Sequence, residues 1–345
     1  MGKCIRFTPL DGNDMVTETL PLAVHMMPME TRREAILSLA TRADELGYKA
    51  VFLPETWSYD ITALLAEAAV RTQQIHLGTG VLGIWGRSSA TIAMASSTLN
   101  TLSNGRFILG LGSSTRQLVE GLHDVSYAEP YEKLRQAITQ TRALLNGDRI
   151  PLSNTTESSP LRLNLPAHPD LPIYLAASSN RSIRIAGELC DGWLPFLMPR
   201  DHLSEGIALI AEAGESQKEL QKHVQICPVV PVSVANDTGS AREGAAWVLA
   251  FYLKTMGPIY RRTLARIGHA KEVEAILGAN RGRNVGAVPP EAEGLLEQLT
   301  IYGTPQEARE KVSRWYSAGA EMPILMLNPD LDQGDAELVL STFST

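Results

Sequence analysis

The chain has only three cysteines in 345 residues, Cys4, Cys190 and Cys227. Their odd number and wide scatter support neither a disulfide framework nor a zinc pattern, so no metal site and a reducing compartment, the cytoplasm, are expected. Long apolar runs are missing too. The longest, Ala245 to Leu253, is far shorter than the roughly 20 residues that cross a bilayer. Met1-Gly2-Lys3-Cys4 opens without the apolar core of a signal peptide, and Arg6 stands where a myristoylation motif needs Ser or Thr. Positive charge is not in excess: the net charge is -7 and the isoelectric point about 5.6, which gives no reason to expect a nucleic-acid surface. Acidic residues are absent from one window, His76 to Val119, which holds Arg87, Arg106 and Arg116.

What is present is a repeated strand–helix grammar. With 44% hydrophobic and 20% charged residues, the chain can bury a large core. Between Leu77 and Gly112 it reads LGTGVLGIWGRSSATIAMASSTLNTLSNGRFILGLG, two apolar strands flanking a helix, with glycines where each strand ends. The same pattern precedes it. Leu20 to Met27 is a strand, and Glu30 to Leu46 a helix with Ile36, Leu39, Ala40 and Ala43 inward and Gly47 as its stop. Ala50 to Pro54 follows as a strand, and Asp60 caps the next helix. After the strand Phe107 to Leu111, Pro130 opens a helix that Gly147 ends.

The stretch 148–171 turns polar and rich in Pro, Ser and Asn, which predicts a loop or hairpin insertion in a single domain that covers 1–345. Strands resume at Pro172 to Ala177, Gly192 to Phe196 and Val224 to Val234, the last broken by Pro228 and Pro231. A helical insertion is expected over 240–300. Thr304-Pro305-Gln306-Glu307 is a capping box before the final strand, Met322 to Leu327. Eight strands result, the number an (α/β)8 TIM barrel requires. A doubly wound sheet is the rival. Gly78-Thr79-Gly80-Val81-Leu82-Gly83 fits the dinucleotide fingerprint, yet the acid-free window leaves no carboxylate to hold a ribose.

At this point the strings RADELGYKAVFLPETW, IHLGTGV, LSNGRFILGLG, LPIYLAASSNRSIRIAGELCDGWLPF and YGTPQEAREKVSRWYSAGAE, in that order, resemble the bacterial luciferase-like superfamily of (α/β)8-barrel flavin and deazaflavin enzymes. The match runs from about Leu20 to Leu327. QLVEGLHDV and YLKTMGPIYRR are most similar to the branch that uses the deazaflavin coenzyme F420 and includes methylene-tetrahydromethanopterin reductase. Two departures stand out. Many members place an acid and then His after the second strand, where this chain has Glu55-Thr56-Trp57, and the branch often has Gly-Gly where this chain has Lys254-Thr255.

The resemblance implies a ring site at the C-terminal strand ends, where the protein orients the cofactor and manages one proton. Thr79, Gly80 and Val81 would carry a backbone bulge, often a non-prolyl cis peptide, beneath the ring. Ala176, Ala177, Ser178 and Ser179 lead into a helix whose free amides suit a phosphate, with Arg181 and Arg184 nearby; ordinary capping by Ser179 or Asn180 is the plainer reading. Gly112, Ser113 and Ser114 would face the same cavity. The arginine-bearing, acid-free window would suit the phosphate and glutamyl tail of the cofactor. His25 is either cavity-facing or packed, and Trp57 either walls the ring or packs. For acid–base work the candidates are Glu55, which a salt bridge could equally occupy, and Glu120 and His123, expected on one helical face and equally readable as solvated.

The expectation is a homodimeric, cytoplasmic oxidoreductase that exchanges a hydride between coenzyme F420 and a small-molecule substrate, with no nucleic-acid or membrane partner. The alternatives are an FMN-dependent monooxygenase and a non-catalytic flavin- or deazaflavin-binding protein.

Overall fold

Strands buried on both faces read as continuous apolar runs, because helices cover one side and the partner strands' side chains the other. The computed structural model, which describes residues 20–153, 157–215, 223–282, 285–329 and 331–344, arranges such runs as a parallel barrel. The readings made at Cys4 and Arg6 fall outside the described residues. The barrel strands, in order, are Ala23–Met26, Ala50–Leu53, His76–Thr79, Phe107–Gly112, Ile173–Leu175 and Gly192–Trp193, then a seventh in two parts, Gln225–Ile226 and Val229–Val234, and last Ile324–Leu327. Each pairs in parallel with the next, and the eighth pairs with the first, His25 lying beside Met326.

Closure depends on the seventh strand. Gln225 and Ile226 pair with the sixth strand, while Val229 to Val232 pair with the eighth, so the chain passes through Cys227 and Pro228 from one neighbour to the other. Phe196 bridges Val229 across the same seam. Two short strands were not foreseen: Leu82–Gly83 against the fourth strand, and Ile301–Gly303 against the end of the seventh.

Alternation along the strands divides the core in two. Val24, Val51, Leu77, Leu109, Ile173, Trp193 and Leu325 face the helices. Ala23, Phe52, Ile108, Tyr174, Cys227 and Met326 fill the interior, together with residues of the helical insertion. That insertion begins with Thr238–Thr255, capped by the Asp237 carboxylate on the Ser240 N–H. It absorbs the Ala245 to Leu253 run: a helix apolar on all sides is a buried helix, and every residue of that run except Trp247 is buried.

Local chemistry sets the helix ends. Asp60, Ser88 and Thr304 accept hydrogen bonds from the first turn of their helices, and Gly47 and Gly147 take left-handed φ of 79° and 85° just past helix ends. The first helix, Arg33–Glu45, starts later than expected. The Glu30 carboxylate is buried and takes the Arg32 N–H at 2.7 Å and its Nε–H at 2.9 Å, which holds 30–32 outside the helix. Between 148 and 171 the described residues form no helix or strand, and Ile150 N–H donates to the Leu161 carbonyl at 2.8 Å.

Close strand packing leaves no space at Gly110, where a Cβ would lie 2.0 Å from the Thr79 carbonyl oxygen. Gly110→Ala is therefore expected to lose about 2–3 kcal/mol of stability. At Gly278, a helical position with nothing within 4 Å, the same change should leave stability level or raise it by up to about 1 kcal/mol. Urea denaturation of both variants checks this, and an unchanged midpoint for Gly110→Ala would contradict it.

Candidate active site

The end of the third strand is built from backbone groups. The Gly80–Val81 peptide bond is cis. Gly80 N–H donates to the Leu53 carbonyl at 2.7 Å, and Glu55 N–H donates to the Val81 carbonyl at 3.2 Å. His25 Nε2–H donates to the Gly80 carbonyl at 2.6 Å from inside the barrel. His25 is buried at 4% exposure, and its Nδ1 has no hydrogen-bond partner among the described residues. Burial pushes its pKa down to about 4, with the Gly80 carbonyl pulling the other way. Thr79 is buried, its hydroxyl donating to the Gly110 carbonyl and accepting the Gly110 N–H.

Beside this bulge the strand ends carry glycine and small side chains and pack closely. A Cβ at Gly112 would lie 2.5 Å from Val81 Cγ2 and 3.8 Å from Ala176 Cβ, which shows how closely strands three, four and five converge. Ser113 and Ser114 follow at the rim, half-buried, with Ser114 at a left-handed φ of 56°. Their carbonyls accept from Trp85 Nε1–H at 2.8 Å and Tyr127 O–H at 3.5 Å.

Beyond the fifth strand, the Ala177 carbonyl accepts from Trp193 Nε1–H at 2.9 Å. Ser179 caps the helix Asn180–Leu189 through a capping box with Ser182. Capping and an anion seat are compatible here. The Asn180 and Arg181 N–H groups point from the first turn with no acceptor among the described residues. The cation at this turn is Arg266 of the helical insertion, which donates to Ser178 O and Asn180 Oδ1 at 3.0 Å each. No sequence signal announced it, since those partners lie 88 and 86 residues away. Arg181 instead pairs with Glu132, and Arg184 with Glu212.

The arginines of the acid-free window are all engaged by partners outside or at its edge. Arg106 donates to carbonyls of Ala69, Thr72, Ile75 and Ser103, beneath the barrel rather than at its mouth. Arg116 pairs with Glu120, and Arg87 with Glu55 and Asp60. Composition over a window does not register such long-range contacts, so its charge is no measure of the local field.

Among the acid–base candidates, Glu55 accepts from Arg87 at 2.5 Å and from the Gly83 N–H at 3.2 Å. Burial raises its pKa, against the opposing pull of Arg87. Glu120 turns to solvent, pairing with Arg116 and accepting the Tyr127 N–H. His123 does not share a helical face with it, because the helix Arg116–Gly121 ends first. Its ring instead lines a cleft with Glu55, Thr56 and Ser114. Trp57 stands 47% exposed at the rim.

A closed parallel barrel of eight strands with a cleft at its C-terminal mouth places the protein in the (α/β)8 class. The luciferase-like monooxygenase family model matches residues 17–322, and the chain belongs to that family. It is 30% identical over 313 residues, 83% of this chain and 89% of the relative, to a Mycobacterium tuberculosis protein named as a coenzyme F420-dependent oxidoreductase. Its fold is similar to that of the coenzyme F420-dependent tetrahydromethanopterin reductase of Methanopyrus kandleri, with a TM-score of 0.75 at 17% identity over 94% of this chain and 98% of that one. It is also similar to the oxygenating constituent of a Pseudomonas putida diketocamphane monooxygenase in complex with FMN, with a TM-score of 0.71 at 16% identity over 95% and 97%.

The buried His25 makes stability depend on pH. Its folded-state pKa lies below the roughly 6.5 of an unfolded histidine, so between these values the unfolded chain binds a proton that the folded chain does not. Stability therefore falls as pH drops from about 6.5 towards 4. Gln at this position keeps an N–H for Gly80 but does not titrate. The His25→Gln variant should lack this component, on the order of 2–3 kcal/mol by pH 4, in urea titrations at stepped pH.

Proposed function

We propose that this protein is an oxidoreductase that exchanges a hydride between coenzyme F420 and a small organic substrate. The observation that carries the reading is the close convergence of the strand ends at Gly80, Val81, Gly112 and Ala176, whose side chains are absent or small, beside a helix start with unpaired N–H groups at Asn180 and Arg181, backed by Arg266. A flat ring fits the first and a phosphate the second. The F420-dependent relative, matched over most of both chains, favours the deazaflavin.

When bound, the reduced deazaflavin supplies the hydride. The chain's own residues bind and orient. Val81 and the glycines let the ring approach the backbone, Ser113 and Ser114 offer hydroxyls at its edge, and His25 and Glu55 hold the bulge through the Gly80 carbonyl and the Gly83 N–H. The assembly is proposed to be a cytoplasmic homodimer acting on a small molecule, without nucleic-acid or membrane partners; sedimentation at micromolar concentration tests the dimer.

Fluorescence quenching with F420 and with FMN separates the cofactors. F420 should bind at least about tenfold more tightly, and Arg266→Met should weaken it by about tenfold, in line with a charge-assisted contact. The opposite preference would favour the FMN-dependent monooxygenase. Tight F420 binding without turnover of any carbonyl compound would favour a non-catalytic binding protein.

A further inference from the structure

Three loops meet beside the third-strand bulge and enclose a cleft. Glu55 and Thr56 come from the loop after strand two, Gly83 and Gly86 from the segment after strand three, and Ser114 and His123 from the loop and helix after strand four. Only two of the residues lining this cleft, Glu55 and His123, are titratable.

They differ in what holds them. Both oxygens of Glu55 already carry donors, Arg87 Nη1 on Oε1 and the Gly83 N–H on Oε2, and Arg87 is held in turn by Asp60 at 2.9 Å. Protonating or moving that carboxylate would release the segment it anchors. The His123 ring has no hydrogen bond or ion pair among the described residues. It lies against Gly86, where a Cβ would come within 2.9 Å of His123 Cε1 and 3.0 Å of Nδ1. Glycine at 86 makes room for the imidazole. A second, independent observation lies in the same cleft: the Thr56 hydroxyl oxygen is buried without a partner. Buried polar atoms are almost always satisfied, so an orphan lining a cleft is one that a ligand would complete.

We propose that His123 is the acid–base group of this site and that Glu55 is a positioning residue. The proposal rests on the oxidoreductase reading above and takes a carbonyl compound, or the alcohol in the reverse direction, as the substrate, because an imidazole beside the hydroxyls of Thr56 and Ser114 suits an oxygen that gains a proton as the carbon gains a hydride. In reduction the hydride pair forms the new C–H bond at the carbonyl carbon. The π pair moves to oxygen, and that oxygen takes the proton from a His123 ring nitrogen, whose N–H pair stays on the now neutral ring. Thr56 and Ser114 line the same cleft and would offer that oxygen their hydroxyls. The charged group that lines the cleft with the imidazole is Glu55, whose partner is Arg87; Glu120 on the His123 segment is paired with Arg116 and turned to solvent.

The test uses His123→Ala and His123→Gln in the full chain, with circular dichroism to verify folding and F420 affinity measured in parallel. Turnover of reduced F420 with a panel of small aldehydes and ketones should fall by roughly 10²–10⁴-fold, the range of general acid–base catalysis, while F420 affinity stays within about threefold. Added imidazole should restore part of the His123→Ala rate, which a purely structural role would not allow.

A readout independent of turnover is the rate at which diethyl pyrocarbonate modifies His123, followed by mass spectrometry. Saturating F420 should slow it at least tenfold and leave the exposed His223 unaffected. Turnover within about threefold of wild type in His123→Ala, or modification that F420 does not slow, overturns the assignment while leaving the oxidoreductase reading standing. A wild-type protein that neither binds F420 nor turns it over overturns both.

Discussion

The hydrogen bond from His25 to the Gly80 carbonyl is the contact on which the mouth of the barrel depends. It reaches across the interior from the first strand to the third, with Nε2–H as the donor, while burial keeps the imidazole neutral down to about pH 4. Leaving that carbonyl unpaired would cost about 1–3 kcal/mol. The surrounding glycines follow from the same crowding. A Cβ at Gly80 would lie 2.5 Å from His25 Nε2, one at Gly78 would lie 2.3 Å from the Phe52 ring, and one at Gly112 would strike Val81. The glycines that resemble a dinucleotide fingerprint are thus needed where strands and ring-sized side chains meet, not to wrap a pyrophosphate.

The fold was legible because parallel barrel strands leave a strong trace. Strands such as Val24, Val51 and Leu325 are buried towards the helices while their neighbours are buried inward, so each appears as an apolar run bounded by turn signals. Asp60, Ser88, Pro130 and Thr304 mark helix starts by side-chain or ring chemistry that acts within one turn. Departures arose where a distant or unusual partner took over a local group. Glu30 captures the Arg32 N–H and delays a helix, and Arg106 spends its guanidinium on carbonyls of a neighbouring helix end and strand.

At the site, the residues brought together are those tied to strand ends: Gly80, Val81, Gly112 and Ala176 converge because their strands are adjacent in the sheet. Positions in the loops beyond were less legible. Helical spacing suggested one face for Glu120 and His123, but a helix of one and a half turns stops at Gly121 and lets the two side chains diverge. Glu120 is then drawn to Arg116 and the Tyr127 N–H, and His123 is left to lie on Gly86.

The same reasoning explains how the helical insertion reaches the start of the helix Asn180–Leu189. Tyr252 packs edge-on against Phe196 at 4.7 Å and Tyr260 at 5.5 Å, and its hydroxyl contacts Met326 Sδ at 3.8 Å, directly beside His25 in the barrel register. This aromatic cluster fixes the insertion over the mouth. The wide turn Ala265–His269, with Gly268 at φ 104°, then redirects the chain and leaves Arg266 facing Ser178 and Asn180. Two neutral acceptors, a carbonyl and an amide oxygen, hold the guanidinium beside the positive end of the helix dipole, so its charge is not offset by a carboxylate there. A carboxylate partner, of the kind that occupies Arg87, Arg116 and Arg181, would cancel the field that draws an anion. The insertion therefore contributes an arginine held by neutral oxygens at this helix start.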